Sequence, residues 1–109
     1  MNELEKAAAH LVRLLEEQRQ RIETMAGPRT DFAKKNTVTI GLIDGDGIGP
    51  VIMSAATTVL QRLLAKEIAE GRIVLRRIDG LTLERRQQLG ESVPTDVLEA
   101  VKSCDVILK

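Results

Sequence analysis

The stretch TVTIGLIDGDGIGP, residues 37–50, decides the fold of this chain. Its first half is a short run of apolar and β-branched residues, as in a strand that is covered on both faces of a parallel sheet. Its second half holds Gly45, Gly47 and Gly49, which can adopt a positive φ or let another backbone come close. Pro50 suits the first turn of a helix, where its missing N–H is not needed. The stretch therefore predicts a strand, a tight loop and a helix.

A glycine loop that leads into a helix is a basis for anion or nucleotide binding, because unpaired N–H groups lie at the positive end of the helix dipole. Two known fingerprints do not fit. A G-x-G-x-x-G motif would begin at Gly45, but Pro50 stands at its last position. A P-loop needs Lys and Ser or Thr after its last glycine, and neither follows Gly49. Asp44 and Asp46 also place negative charge where a pyrophosphate would lie.

The residues after the loop predict a β-α-β unit and a third strand. A helix is expected over 51–70, a strand over 73–78, a short helical turn within 80–93, a helix over 95–103 and a strand over 105–109. The helix over 51–70 has a broad apolar face that is expected to cover the sheet. This predicted face consists of Ile52, Ala55, Ala56, Val59, Leu60, Leu63, Leu64 and Ile68. In the helix over 95–103, Val97, Leu98 and Val101 are expected to face inward.

Arginines mark the second strand and the turn after it. Arg72, Arg76 and Arg77 break strict alternation, which favours an edge strand or a bulge. Arg85 and Arg86 are expected to be exposed. Five arginines between 72 and 86 suggest a polyanion or tricarboxylate site, but acidic residues lie among them, so solvated surface charge is the favoured interpretation.

The first 26 residues read as one long amphipathic helix. Asn2 can cap it, and Glu5 completes a capping box. Gln18 and Arg21 interrupt the apolar stripe, so the pattern falls short of clean heptads. The predicted organisation is a helix over 1–26, a linker over 27–36 and an α/β segment over 37–109. Two roles for the helix stay open: a support docked on its own domain or on a dimer partner, and an arm for oligomerisation or partner binding.

Composition excludes several classes of function. Sixteen basic and sixteen acidic residues cancel, and the chain has one Phe, no Tyr and no Trp, so neither a nucleic-acid surface nor an anionic-membrane surface is expected. Cys104 is the only cysteine and His10 the only histidine, so we expect no disulfide, no metal site and no catalytic pair. Without an apolar run long enough to span a membrane, the chain is expected to be cytoplasmic.

The segment IGLIDGDGIGP resembles the first strand and loop of the isocitrate and 3-isopropylmalate dehydrogenase family, the β-decarboxylating dehydrogenases. The order of elements in the last two thirds of the chain is similar to theirs. The family usually has an acidic residue directly after GDGIGP, where this chain has Val51. The resemblance implies an α/β fold with three mostly parallel strands and crossover helices, as in the N-terminal part of an isopropylmalate dehydrogenase, here preceded by the long helix. It does not cover that helix.

The resemblance also implies a function. Enzymes of this family oxidise isocitrate or 3-isopropylmalate, both 2-hydroxy acids, with NAD or NADP and release carbon dioxide, while Mg or Mn acts as a Lewis acid. They are homodimers, which implies a homo-oligomer. In similar enzymes the GDGIGP backbone and its isoleucine lie beside the adenosine part of the cofactor, which implies cofactor contacts from Gly47, Ile48 and Gly49. Asp44 and Asp46 are expected to make local turns or helix-capping hydrogen bonds rather than to act as catalysts.

No catalytic or metal-binding residue of the family can be matched here, because the family carries those groups later in its sequence and this chain has no Tyr. We therefore expect an N-terminal piece of a larger fold or one half of an assembly, and no turnover of isocitrate or 3-isopropylmalate by this chain alone. The alternative is a non-enzymatic nucleotide- or partner-binding module with an oligomerising N-terminal helix. The sequence does not separate NAD from NADP, or isocitrate from 3-isopropylmalate.

Overall fold

The computed structural model describes all 109 residues, which form two compact units, Met1–Asp31 and Phe32–Lys109. The first unit contains helix α1, Glu3–Met25. Asn2 Oδ1 accepts the N–H of Glu5 at 2.9 Å, and Glu5 Oε2 accepts the N–H of Asn2 at 2.8 Å, so the predicted capping box is confirmed. None of the side chains of α1 is buried.

The second unit is an α/β structure built on one parallel sheet. It contains a 3-10 turn at Phe32–Lys34, β1 (Val38–Leu42), α2 (Gly49–Leu63), α3 (Ala65–Ala69), β2 (Ile73–Arg77), α4 (Leu83–Leu89), α5 (Thr95–Ser103) and β3 (Val106–Leu108). The strand order is β2-β1-β3, and both pairings are parallel. The predicted fold class, three parallel strands with helices between them after a long N-terminal helix, is confirmed.

Strand β1 lies in the centre of the sheet because it pairs on both sides. Val38 pairs with Ile73 of β2, while Ile40 pairs with Val106 of β3. The arginine-rich strand β2 is an edge strand, as its sequence predicted, so Arg76 and Arg77 reach solvent. Since parallel strands end at the same edge, the loop after β1 lies beside the residues that follow β2 and β3.

The main cluster of the hydrophobic core lies beneath α5. Ile43, Ile78 and Val97 are buried together, and partly buried apolar residues pack around them, namely Leu81, Ala100, Val101, Cys104 and Ile107. Gly41 lies beneath this cluster, where a Cβ atom would approach Ile107 Cδ1 to 2.7 Å and Cys104 Sγ to 3.0 Å. The central strand therefore carries a glycine where the packing leaves no room for a side chain.

The predicted apolar face of α2 was partly wrong. Met53 is buried and Leu60 is half-buried, whereas Ile52, Val59 and Leu63 are exposed. Apolar residues lie around most of the circumference of α2, and a three-stranded sheet can cover only one stripe of them. The predicted helix over 51–70 is also divided at Leu64, whose φ of −106° and ψ of 18° are not helical.

One more expectation about a side chain was wrong, and the linker has a partner in the α/β unit. Leu98 was expected inside but is 41% exposed, because α5 turns Val97 toward the core instead. The ammonium of Lys35, in the segment before β1, pairs with Asp105, whose carboxylate also accepts the N–H of Thr39 at 2.8 Å. Both partners favour the charged carboxylate, so the Lys35 hydrogen bond and the Thr39 N–H lower the pKa of Asp105.

Candidate functional site

The candidate site is the glycine loop between β1 and α2. Gly45 and Gly47 have φ of 69° and 62°, a left-handed conformation that residues with a Cβ adopt at a cost. No heavy atom lies within 4 Å of the place where a Cβ would stand on either residue, so both face open space. Gly49 differs, because a Cβ there would lie 2.0 Å from the carbonyl oxygen of Asp44. The loop thus closes on itself at Gly49 and opens outward at Gly45 and Gly47.

The N-terminus of α2 offers few free N–H groups. Gly49 donates its N–H to the carbonyl oxygen of Asp46 at 3.0 Å, Pro50 has none, and Ile52 donates to the carbonyl of Ile48 at 3.1 Å. Asp44 and Asp46 add negative charge beside these groups. Among the first four residues of α2, only Val51 has an N–H without a partner, so a phosphate would find a single free helix donor there, beside two carboxylates.

Asp44 and Asp46 each have a structural partner. The carboxylate of Asp44 lies 3.2 Å from Arg77 of β2, which ties the end of the central strand to the edge strand. The carboxylate of Asp46 accepts the N–H of Leu83 through both oxygens, at 2.9 and 3.0 Å. Leu83 is the first residue of α4, so Asp46 satisfies an N–H that has no partner within that helix. The expected helix-capping role is confirmed for Asp46, although the helix that it caps lies 37 residues further along the chain.

We expect Asp46→Ala to loosen the contact between the glycine loop and α4. Removing a capping carboxylate costs about 1 kcal/mol, and this hydrogen bond is partly open to solvent. Thermal unfolding followed by circular dichroism should show a melting temperature lower by about 4–8 °C. Asp79→Ala is the matched control, because Asp79 is an exposed carboxylate that follows β2. An equal loss in both variants would contradict the capping role.

Ile48 is the most exposed large side chain of the loop, with 73% of its surface open to solvent. It lies between the two glycines Gly47 and Gly49, directly before α2. A large aliphatic side chain at this exposure is free to pack against a flat apolar ligand surface. The sequence predicted Gly47, Ile48 and Gly49 together as one contact surface. Gly47 and Ile48 are exposed, whereas Gly49 turns its Cβ position toward the carbonyl oxygen of Asp44.

A cavity of about 560 Å³ adjoins the loop at the carboxyl ends of the strands, where ligands bind in open α/β sheets. Its polar lining residues are Asp44, Asp46, Arg86, Ser92 and Lys109. The Nε atom of Arg86 is buried without a hydrogen-bond partner. Sequence analysis missed this cavity, although two lining residues follow strand ends: Asp44 after β1 and Lys109 after β3.

The predicted exposure of Arg85 and Arg86 was wrong, since both are half-buried. Arg85 pairs with Asp96 of α5 at 3.0 Å, and its hydrogen bond to that carboxylate lowers the pKa of Asp96. Arg85 therefore joins α4 to α5, while Arg86 faces the cavity. No three His, Cys, Asp or Glu side chains lie close enough together to hold a metal ion. None of the helices is long and apolar enough to cross a lipid bilayer.

Comparison with known proteins identified relatives of one kind. The chain is 36% identical over 74 residues to the 3-isopropylmalate dehydrogenase of Lactococcus lactis subsp. lactis (strain IL1403), a match that covers 68% of this chain and 20% of the relative. It is 33% identical over 69 residues to the 3-isopropylmalate dehydrogenase of Prochlorococcus marinus (strain MIT 9312), covering 63% of this chain and 18% of the relative. No protein-family model and no solved structure matched the chain significantly. The matched residues span about a fifth of each relative.

Proposed function

Because this chain is related over part of its length to the isocitrate and 3-isopropylmalate dehydrogenase family, we propose that it supplies the cofactor side of such an enzyme. The parent reaction is the oxidative decarboxylation of isocitrate or 3-isopropylmalate with NAD or NADP, assisted by Mg or Mn. Within it, the corner between β1 and α2 holds the adenosine half of the dinucleotide. When bound, the nicotinamide half accepts the hydride from the 2-hydroxy acid.

The exposed Ile48, placed between two glycines, is the observation that carries this proposal. An adenine ring presents a flat apolar face, which a large aliphatic side chain can cover. The neighbouring Gly47 has open space at its Cβ position, so ribose or base atoms can approach the backbone closely. Both features suit an uncharged nucleoside.

The charge of the loop supports the same assignment. Asp44 and Asp46 repel phosphate, and among the first four residues of α2 only Val51 has an N–H group without a partner. Carboxylates accept hydrogen bonds from hydroxyl groups, which ribose has and the ionised pyrophosphate of a dinucleotide lacks. The loop therefore suits the adenosine rather than the pyrophosphate, whose binding groups must come from elsewhere in the assembled enzyme.

This assignment predicts that Ile48→Ala weakens binding of AMP and NAD to the purified chain. We expect weak affinities, on the order of 1 mM, for a site that holds only part of the dinucleotide. Loss of most of the isoleucine contact should weaken binding by about 5–10-fold, as estimated from the apolar area removed. Saturation-transfer NMR titrations with AMP, NAD and nicotinamide mononucleotide would measure it.

Leu63→Ala is the matched control, because Leu63 has the same 73% exposure as Ile48 but lies at the far end of α2. It should bind AMP as the unchanged chain does. Nicotinamide mononucleotide, which lacks adenosine, should not compete. An equal loss in both variants, or competition by nicotinamide mononucleotide as strong as that by AMP, would contradict the assignment of the loop to adenosine.

A further inference from the structure

Helix α1 carries a row of mostly apolar residues, interrupted at Gln18, that the proposed function does not use. The row, which we term the α1 seam, consists of Leu4, Ala8, Leu11, Leu15, Gln18, Ile22 and Met25. Its members are separated alternately by four and three residues, the heptad spacing by which two helices supercoil around each other. Its leucines, Ile22 and Met25 are all exposed, from 56% at Leu11 to 82% at Leu4.

From this row we infer that α1 pairs with α1 of a second copy of the chain, and that the two helices run antiparallel. A two-fold axis near residue 13 would place Leu4 opposite Ile22 and Leu11 opposite Leu15 of the second copy. The same axis places the small Ala8 opposite the larger Gln18. Each pair of facing seam residues therefore fills a similar volume along the interface. Parallel pairing would set Ala8 against Ala8 and leave a gap there.

The charges beside the α1 seam favour the same orientation. Antiparallel pairing brings Glu5 near Arg19 of the second copy, and the two-fold axis repeats this pair at the other end. Parallel pairing brings Leu14 near Arg19 and Arg21 near Ala26, so it forms no pair of opposite charges. Arg19 already bonds Glu16 and Glu23 within its own helix, so Glu5 would extend an existing network.

The outer face of α1 argues against a lipid surface as the occupant. Lys6 pairs with Glu3 at 3.0 Å and Arg13 with Glu17 at 3.9 Å. The helix carries five glutamates and four basic residues, whereas helices that lie on anionic membranes are rich in Lys and Arg on their polar side. Charges of both signs that are paired within the helix suit a face that remains in water.

The area that pairing would bury indicates how strong it should be. Pairing would cover the five large apolar residues of the α1 seam, together with Val12 and Leu14 beside it. These seven side chains are 40–82% exposed, and a complete side chain of this kind offers roughly 60–120 Å². Covering their exposed parts would bury about 400 Å² on each helix. Standard interfaces bury about 800 Å² on each partner. We therefore expect reversible dimers with a dissociation constant in the micromolar range rather than an obligate assembly.

Sedimentation equilibrium of the full 109-residue chain tests the association. Over about 1–500 µM, chosen to bracket a micromolar dissociation constant, the weight-average mass should rise from 12.0 kDa toward twice that value. The double variant Leu11→Glu and Leu15→Glu should weaken association at least tenfold. His10→Glu adds the same side chain on the outer face, and Val59→Glu adds it on the exposed side of α2, so both should associate as the unchanged chain does.

Far-UV circular dichroism of each variant checks that the α/β unit remains folded. A mass of 12.0 kDa at every concentration would overturn the inference. The inference would also be overturned if Val59→Glu abolished association while the double variant of Leu11 and Leu15 still associated. Neither result would bear on the glycine loop, whose nucleotide titrations are measured separately.

Disulfide trapping in a Cys104→Ser background tests the orientation. Antiparallel pairing places Leu14 beside Leu14 of the second copy, so Leu14→Cys should form a covalent dimer in mild oxidant. Ala8→Cys faces Ala8 of the second copy only in a parallel pair and should remain monomeric on non-reducing gels. The reverse pattern would overturn the antiparallel arrangement.

Discussion

Gly49→Ala should destabilise the α/β unit more than any other single methyl group added to the loop. The new Cβ would lie 2.0 Å from the carbonyl oxygen of Asp44, a backbone atom that cannot rotate away. The loop or the start of α2 must shift, and we expect a loss of about 3 kcal/mol or more in the free energy of unfolding. Urea unfolding followed by circular dichroism would measure the loss.

Gly45→Ala measures the cost of placing alanine in a left-handed backbone conformation where the new methyl group meets no other atom. Gly45 has a φ of 69° but open space around its Cβ position, so alanine there should cost only about 1–2 kcal/mol. Losses of equal size in the two variants would mean that the contact between Gly49 and Asp44 does not constrain the corner. The order of these two stability losses also bears on function. Gly49 holds the loop closed, whereas Gly45 and Gly47 leave the outer side of the loop accessible.

Val97→Ala should lower the stability of the α/β unit strongly for the removal of only two methyl groups, because Val97 is the most buried of the core side chains. Val97 is 1% exposed and lies with Ile43 and Ile78 in the small cluster beneath α5. Removing two buried methyl groups costs about 2 kcal/mol, because the transfer energy is lost and a cavity remains. The melting temperature should fall by about 8–16 °C in a unit of this size.

Leu98→Ala is the neighbouring control, on the same helix and with a larger side chain removed. Leu98 is 41% exposed, so we expect a loss below about 1 kcal/mol. If Leu98→Ala lowered the melting temperature as much as Val97→Ala, the orientation of α5 against the sheet would be wrong. The comparison uses thermal unfolding of the two variants under identical conditions.

Local signals in the sequence were enough to predict the elements. A dense apolar run followed by glycines and proline marked β1, the loop and the start of α2. Asn2 and Glu5 marked the start of α1, and the arginines of β2 marked an edge strand. Each of these signals involves residues that lie close together in the sequence, so no knowledge of tertiary contacts was required.

Side-chain burial and partners could not be predicted in the same way. Apolar residues surround α2, so periodicity alone did not decide whether Met53 or Ile52 faces the sheet. The contact of Asp46 with Leu83 joins positions 37 residues apart, and its existence depends on how α4 returns to the loop. Arg85 was expected in solvent because its partner Asp96 lies on the next helix.

The proposed cofactor contacts depended on the family resemblance rather than on local physics. Gly47, Ile48 and Gly49 were predicted because the segment IGLIDGDGIGP is similar to the family's first loop. Nothing in the residue types themselves distinguishes an adenosine surface from any other exposed corner. The open space at Gly47 and the exposure of Ile48 support that prediction without testing it.

Chemical-shift mapping of the ¹⁵N-labelled chain during titration with AMP is the most direct test of the adenosine surface. We expect the largest amide shifts to fall within residues 45–52 and to saturate at millimolar AMP, on the order expected for a partial site. Shifts that are absent at saturating AMP, or that are centred on α1 or on the outer end of α2, would contradict this expectation.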